Sequence, residues 1–146
     1  MKSFLTIILI FFFSYFQAQE TSNAIGYYTS GLEQYNKQNY TEAIDEYTKA
    51  IEINPGFAEA FFQRGCAKHN AEDYIGAIED FNTSINLQPK NELFYKQRAS
   101  TKTMLKDYNG AISDCDVEWD WSREDMSQCN MIRRRHYGPG CHSAFF

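Results

Sequence analysis

"NYTEAIDEYTKAIEINP", Asn39 to Pro55, returns thirty-four residues later as "DYIGAIEDFNTSINLQP", Asp73 to Pro89. Both copies place a tyrosine, an Ala-Ile pair, an aromatic residue and a closing proline in the same register. A third copy opens at Asp107 with "DYNGAISDC" and loses the pattern after Asp116. Aligned at this period, Tyr27, Phe61 and Tyr95 fall in one column, and Gly31, Gly65 and Ala99 in another. Tyr40, Tyr74 and Tyr108 align, as do Ala43-Ile44, Ala77-Ile78 and Ala111-Ile112, and then Tyr47, Phe81 and Cys115.

Each copy divides into two helical stretches at a break before Asn39, Asp73 or Asp107, residues suited to cap a helix N-terminus. Asn39 with Glu42 has the spacing of a capping box. In the second stretch Tyr40, Ala43, Ile44, Tyr47, Ala50 and Ile51 make an i, i+3, i+4 stripe. Gly31 and Gly65 each cost about 1 kcal/mol of helix propensity, which makes sense where a partner helix comes close to the backbone. Pro55 and Pro89 end the second helices and start the turn into the next pair. The expected helices are 24–37, 41–54, 58–71, 74–87, 92–105 and 108–121. One pair cannot bury such a stripe alone, so neighbours must stack.

This pattern resembles the tetratricopeptide repeat, over about Ala24 to Trp121. The resemblance implies an all-α fold, a right-handed α-solenoid of three helix-turn-helix repeats. It sets repeats at 24–57, 58–91 and 92–121, the last incomplete, before a divergent tail at 122–146. The chain departs from the family in two columns. Ser30, Arg64 and Arg98 stand where leucine is common, and Gln34, Lys68 and Lys102 where tyrosine is common. Asp80 and Asp114 accompany the arginines on the second helices. Two readings stay open: a solvated charged face, or a half-exposed Arg–Asp pair worth roughly 0.2–1 kcal/mol that locks the helices of each repeat.

The formal charge is −5, with 43% hydrophobic and 16% aromatic residues, enough for a folded core. Glu20 to Trp121 carries 17 Asp+Glu against 9 Lys+Arg. A nucleic-acid binder needs a basic stripe to neutralise phosphates, so nucleic acid is disfavoured as a partner. Ahead of this body, Lys2 precedes the apolar run Phe4–Phe16, "FLTIILIFFFSYF". A basic start and a run of this length read as a secretory signal over residues 1–19. The run is shorter than the ~20 residues of a membrane span. The expectation is export, periplasmic or secreted, with a membrane tether if the signal stays and no span once it is removed. Cys66 and Cys115 fall in repeat helices and read as small buried hydrophobes. Cys129 and Cys141 lie in the tail and are free to pair, with connectivity open.

In the third copy Glu118 stands where Ala50 and Ser84 stood, and Arg123 replaces the proline. Trp119 and Trp121 keep the apolar columns of Ile51/Ile53 and Ile85/Leu87. The tail "SREDMSQCNMIRRRHYGPGCHSAFF" reads as a partial capping helix followed by a disordered end, with a change of reading frame after Trp121 as the open alternative. Cys129, His136, Cys141 and His142 lack the paired spacing of a structural zinc site, so no metal is expected.

No phosphate loop, nucleophile elbow or metalloprotease helix occurs, and no carboxylate pair stands out as acid and base. The expectation is no enzyme and no cofactor. The resemblance implies instead a concave groove, lined by the first helices, that holds a peptide or a partner's helix. Spacing puts Tyr28, Leu32 and Tyr35 there from the first repeat, flanked by Thr29 and Asn36. The second contributes Phe62, Cys66 and His69, flanked by Gln63 and Asn70; the third, Lys96, Ser100 and Thr103, flanked by Gln97. The groove is thus aromatic at its N-terminal end and polar at the other. Chaperone-binding members clamp a C-terminal carboxylate with Lys and Asn in the first repeat; here Tyr28 and Leu32 stand in those places. A non-catalytic adaptor of the cell envelope is the first reading. The alternative is a structural unit that self-associates through its uncapped third repeat.

Overall fold

The computed structural model describes residues 22–116 and 130–132. The expected signal over 1–19, the continuation to Trp121 and nearly all of the tail lie outside the described residues. Among residues 22–116 six helices follow one another: α1 over residues 22–36, α2 Tyr40–Ile53, α3 Ala58–Asn70, α4 Tyr74–Leu87, α5 Glu92–Met104 and α6 Tyr108–Cys115. Residues 130–132 are also helical, and no strand occurs among the described residues. From α2 onward each helix packs on the next, and α3 also touches α5, the corresponding helix one repeat on. The architecture is the all-α solenoid of helix pairs that the period predicts.

The turn inside each repeat is the same turn three times. Among the described residues Gln38, Glu72 and Lys106, one period apart, are the non-glycine residues with positive φ, at 63°, 65° and 62°. At each, the next amide bonds back to a carbonyl five residues earlier: Asn39 to Gln34, Asp73 to Lys68, Asp107 to Lys102. This is the left-handed C-terminal cap, which satisfies carbonyls that the helix end leaves unpaired. Asp73 and Asp107 then open the second helices by accepting from the Gly76 and Gly110 amides, each at 3.0 Å. Asn39 does not do the same. The expected capping box with Glu42 is absent, and the Asn39 amide donates instead to Gln34 Oε1 at 3.0 Å. The difference lies three residues on: a Cβ at Gly76 would come within 2.2 Å of the Asp73 carboxylate, and Glu42 has a Cβ.

Helix pairs close around small-to-large contacts. A Cβ on Gly31 would stand 2.6 Å from the Tyr47 ring, and one on Gly65 would stand 2.7 Å from the Phe81 ring. In the third repeat the ring is replaced by Cys115, and the glycine by Ala99, in the same buried cluster. The larger residue on the first helix thus faces the smaller one on the second, as close packing requires.

The charged columns form locks in repeats two and three. Arg64 donates through Nε and Nη2 to both carboxylate oxygens of Asp80, at 2.9 and 2.7 Å, and Lys68 Nζ sits 2.9 Å from the same carboxylate. Arg98, Lys102 and Asp114 repeat the arrangement. The third nitrogen of each arginine reaches back to the preceding repeat, to Thr48 Oγ1 and Asn82 Oδ1. The open choice is thereby decided for pairing. The pairs are also more buried than expected, since Asp80 and Asp114 are 4% and 3% exposed.

Cys66 is buried and free, as read, and burial pushes its thiol up to about 12. Cys115 is buried too, but it is disulfide-bonded, which corrects its reading as a simple core residue. Helical position predicts burial of a cysteine and says nothing of what the sulfur meets.

Candidate functional site

The first helices α1, α3 and α5 carry the predicted groove residues. Tyr28, Leu32 and Tyr35 on α1 are half-buried and pack over Ala43, Tyr47 and Ala67. The Tyr28 ring lies 5.9 Å from that of Tyr47 and 4.9 Å from that of Phe57. Phe57, at the junction between repeats, was not among the predicted residues. Its signal was its column, where Asn23 and Asn91 stand in the other copies.

Side chains of consecutive repeats bridge across this face. Asn70 Nδ2 donates to the Tyr35 hydroxyl at 2.7 Å, and Asn70 itself is exposed. Gln63, near the Tyr28 hydroxyl, works against the larger effect of burial on its pKa. Burial pushes the Tyr28 and Tyr35 hydroxyls above the usual tyrosine range, so both stay protonated at neutral pH. Further along, His69 Nδ1 lies 2.9 Å from Thr101 Oγ1. Because the Thr101 hydroxyl donates to the Gln97 carbonyl, the imidazole nitrogen is the donor to it. Thr101 was also missed; it is fully buried beneath His69, in the column of Glu33 and Ala67. Desolvation pulls His69 below the ordinary histidine value.

Two predicted residues are placed deeper. Phe62 and Cys66 are 8% and 7% exposed and belong to a core cluster with Phe81 and Phe94. The Phe62 ring stacks on Phe94 at 4.8 Å. They form a floor under the face and leave little surface to touch. Lys96, Gln97, Ser100 and Thr103 are half-buried on α5. The face therefore offers aromatic rings and Leu32 at one end, amides and His69 in the middle, and hydroxyls with one lysine at the other. Among the described residues no group of three His, Cys, Asp or Glu is placed to hold a metal ion. No helix there is long and apolar enough to cross a membrane.

Comparison with known proteins matches this geometry. Residues 31–72 fit the family model described as TPR repeat, and residues 58–91 the one described as tetratricopeptide repeat. Over residues 31–91 the chain is built of tetratricopeptide repeats. The curated proteins gave no match. Among solved structures it is similar to the Arabidopsis OM64 TPR domain, with TM-score 0.74 and 19% identity over 80% of this chain and 98% of that one. The second TPR domain of human RPAP3, solved in complex with the HSP70 peptide SGPTIEEVD, gives TM-score 0.73 and 20% identity over 78% and 98%. The first TPR of Spaghetti (RPAP3), bound to the HSP90 peptide SRMEEVD, gives 0.73 and 21% over 79% and 94%. At these identities the likeness is one of fold.

Proposed function

We propose that this protein is a non-catalytic interaction module that holds an extended peptide, or one helix of a partner protein, along α1, α3 and α5. The observation that carries the reading is the Asn70–Tyr35 hydrogen bond at 2.7 Å. It joins two consecutive first helices into one face at a point where the side chains still meet solvent. The peptide-bound neighbours support the same use of the fold. Their peptides end in an acidic motif, whereas Tyr28 and Leu32 here supply apolar surface in place of the Lys and Asn of the carboxylate clamp. An aromatic or aliphatic side chain of the ligand therefore belongs over Tyr28, Leu32 and Tyr35, with its backbone against Gln63, Asn70 and Gln97.

In this reading the chain works outside the cytoplasm. The run Phe4–Phe16 after Lys2 supports export, and a disulfide at Cys115 suits an oxidising compartment. The self-associating alternative needs an open third repeat, and Ile132 packs against that repeat's cluster.

The test is to select binders from a displayed random peptide library and titrate one into isotope-labelled protein. Amide shifts concentrated on α1, α3 and α5 are expected. Shifts confined to α2, α4 and α6 would move the site to the outer face.

A further inference from the structure

His69 has one ring nitrogen committed and one free. Nδ1 donates at 2.9 Å to the buried Thr101 hydroxyl, whose own proton goes to the Gln97 carbonyl. Tyr74 on α4 braces the imidazole edge to face, with ring centroids 5.4 Å apart. Burial lowers the His69 pKa, so the ring is neutral at neutral pH. A neutral imidazole with its proton on Nδ1 presents a bare lone pair at Nε2. No described residue pairs with that nitrogen. It is not sealed in the core either, because among the described residues the Tyr47 hydroxyl is the one buried side-chain polar atom without a partner. Nδ1 points down to Thr101, so Nε2, across the ring, faces the open side of the groove. One residue on, the exposed Asn70 spends Nδ2 on the Tyr35 hydroxyl and keeps Oδ1 as a second acceptor. Both stand at the C-terminal end of α3, where the helix carries partial negative charge. This end of the helix accepts hydrogen bonds and calls for donors.

We propose, on the groove reading above, that the occupant is an extended peptide rather than a helix, and that one of its backbone N–H groups donates to His69 Nε2. A helix spends its backbone N–H groups internally beyond the first turn, so it has none to give along its length. An extended segment carries a free N–H at every residue except proline. His69 is then a specificity-determining residue. It refuses proline at the peptide position it faces, because proline has no N–H and would leave the lone pair covered and unpaired. Thr101 positions the ring from below, by holding the proton on Nδ1.

The test uses the full chain and a peptide selected from a displayed random library. Each backbone amide of the peptide is replaced in turn by an ester, which keeps the shape and removes the N–H. Affinities are measured for wild type, His69→Asn and His69→Gln. Asparagine reaches Thr101 with its amide but has no atom at the Nε2 position, whereas glutamine places an acceptor there. One ester position should weaken binding to wild type about five- to tenfold, the worth of one neutral hydrogen bond, and should weaken binding to His69→Asn no further. His69→Asn should itself bind about five- to tenfold more weakly, and His69→Gln within about threefold of wild type. If amide shifts still fall on α1, α3 and α5 but no ester position couples to His69, the His69 contact is overturned and the groove stands. A peptide that is helical when bound overturns the extended occupant. Shifts confined to α2, α4 and α6 overturn the groove itself, and the His69 contact with it.

Discussion

Arg98 grips Asp114 with two prongs, Nε to Oδ2 at 2.9 Å and Nη2 to Oδ1 at 2.5 Å, while its third nitrogen reaches Asn82 in the preceding repeat at 2.6 Å. One guanidinium thus ties three helices. The side chains are only 16% and 5% exposed, so water does little to screen them. Removing one partner leaves a buried charge unpaired, which costs about 3–5 kcal/mol. Arg98→Met should therefore destabilise by about 3 kcal/mol, and Asp114→Asn by a comparable amount. Urea denaturation of both single variants and the double variant should give a coupling of about 1–3 kcal/mol. Strict additivity would contradict the lock.

Gly65 faces the Phe81 ring with no room for a methyl group. Gly65→Ala gains about 1 kcal/mol of helix propensity, yet overpacking costs about 1–3 kcal/mol. A net loss of stability is expected in chemical denaturation. A gain would mean that the helices can separate at no cost.

Glu72 holds φ at 65° without being glycine. The left-handed conformation costs an L-residue about 1–2 kcal/mol, and glycine carries an entropy penalty of about 0.5–1 kcal/mol. Glu72→Gly should raise the melting temperature, by a net of about 0.5–1 kcal/mol in stability. A lower melting temperature would show that the Glu72 side chain contributes more than its backbone strain.

The repeat period and the helix pairs were legible because each recurs in register, and the Arg–Asp pairing stood as one of two open readings. Side-chain exposure on the groove was not, because it depends on a neighbour one repeat away. Tyr28 and Phe62 hold the same register, but the small Ala60 lies beside Tyr28 and the Phe94 ring stacks on Phe62. One side chain stays half-exposed and the other joins the core. The Asn39 cap failed for a similarly local reason, the Cβ of Glu42. The Cys115 disulfide was hidden because spacing along one helix carries no information about what the sulfur meets.

His69 provides a pH dependence. Desolvation lowers its folded pKa below the ordinary 6.5, so the unfolded chain binds the proton more tightly. Its contribution to stability is fully present above pH 6.5 and is lost as pH falls from there toward the folded value. Wild type minus His69→Gln, compared by denaturation at several pH values, should isolate this slope. A difference that stays flat below pH 6.5, or that grows as pH falls, would contradict a desolvated neutral imidazole.

Binding along the first helices is the central claim, and Phe62 cannot test it, because truncating a buried phenylalanine costs about 3–5 kcal/mol of fold stability. Tyr28 and Asn70 are better chosen, being half-buried and exposed. The direct measurement is the affinity of a library-selected peptide for wild type, for Tyr28→Ala with Asn70→Ala, and for Ile75→Asp on α4. Ile75 is 67% exposed and serves as the outer-face control. Losing a true anchor costs about 2 kcal/mol, or about thirtyfold in affinity. The double variant should weaken binding by at least that much while staying folded, and Ile75→Asp should bind within about twofold of wild type, well inside the tenfold that 1.4 kcal/mol represents. A folded double variant with unchanged affinity, or loss of binding in Ile75→Asp alone, would contradict the groove.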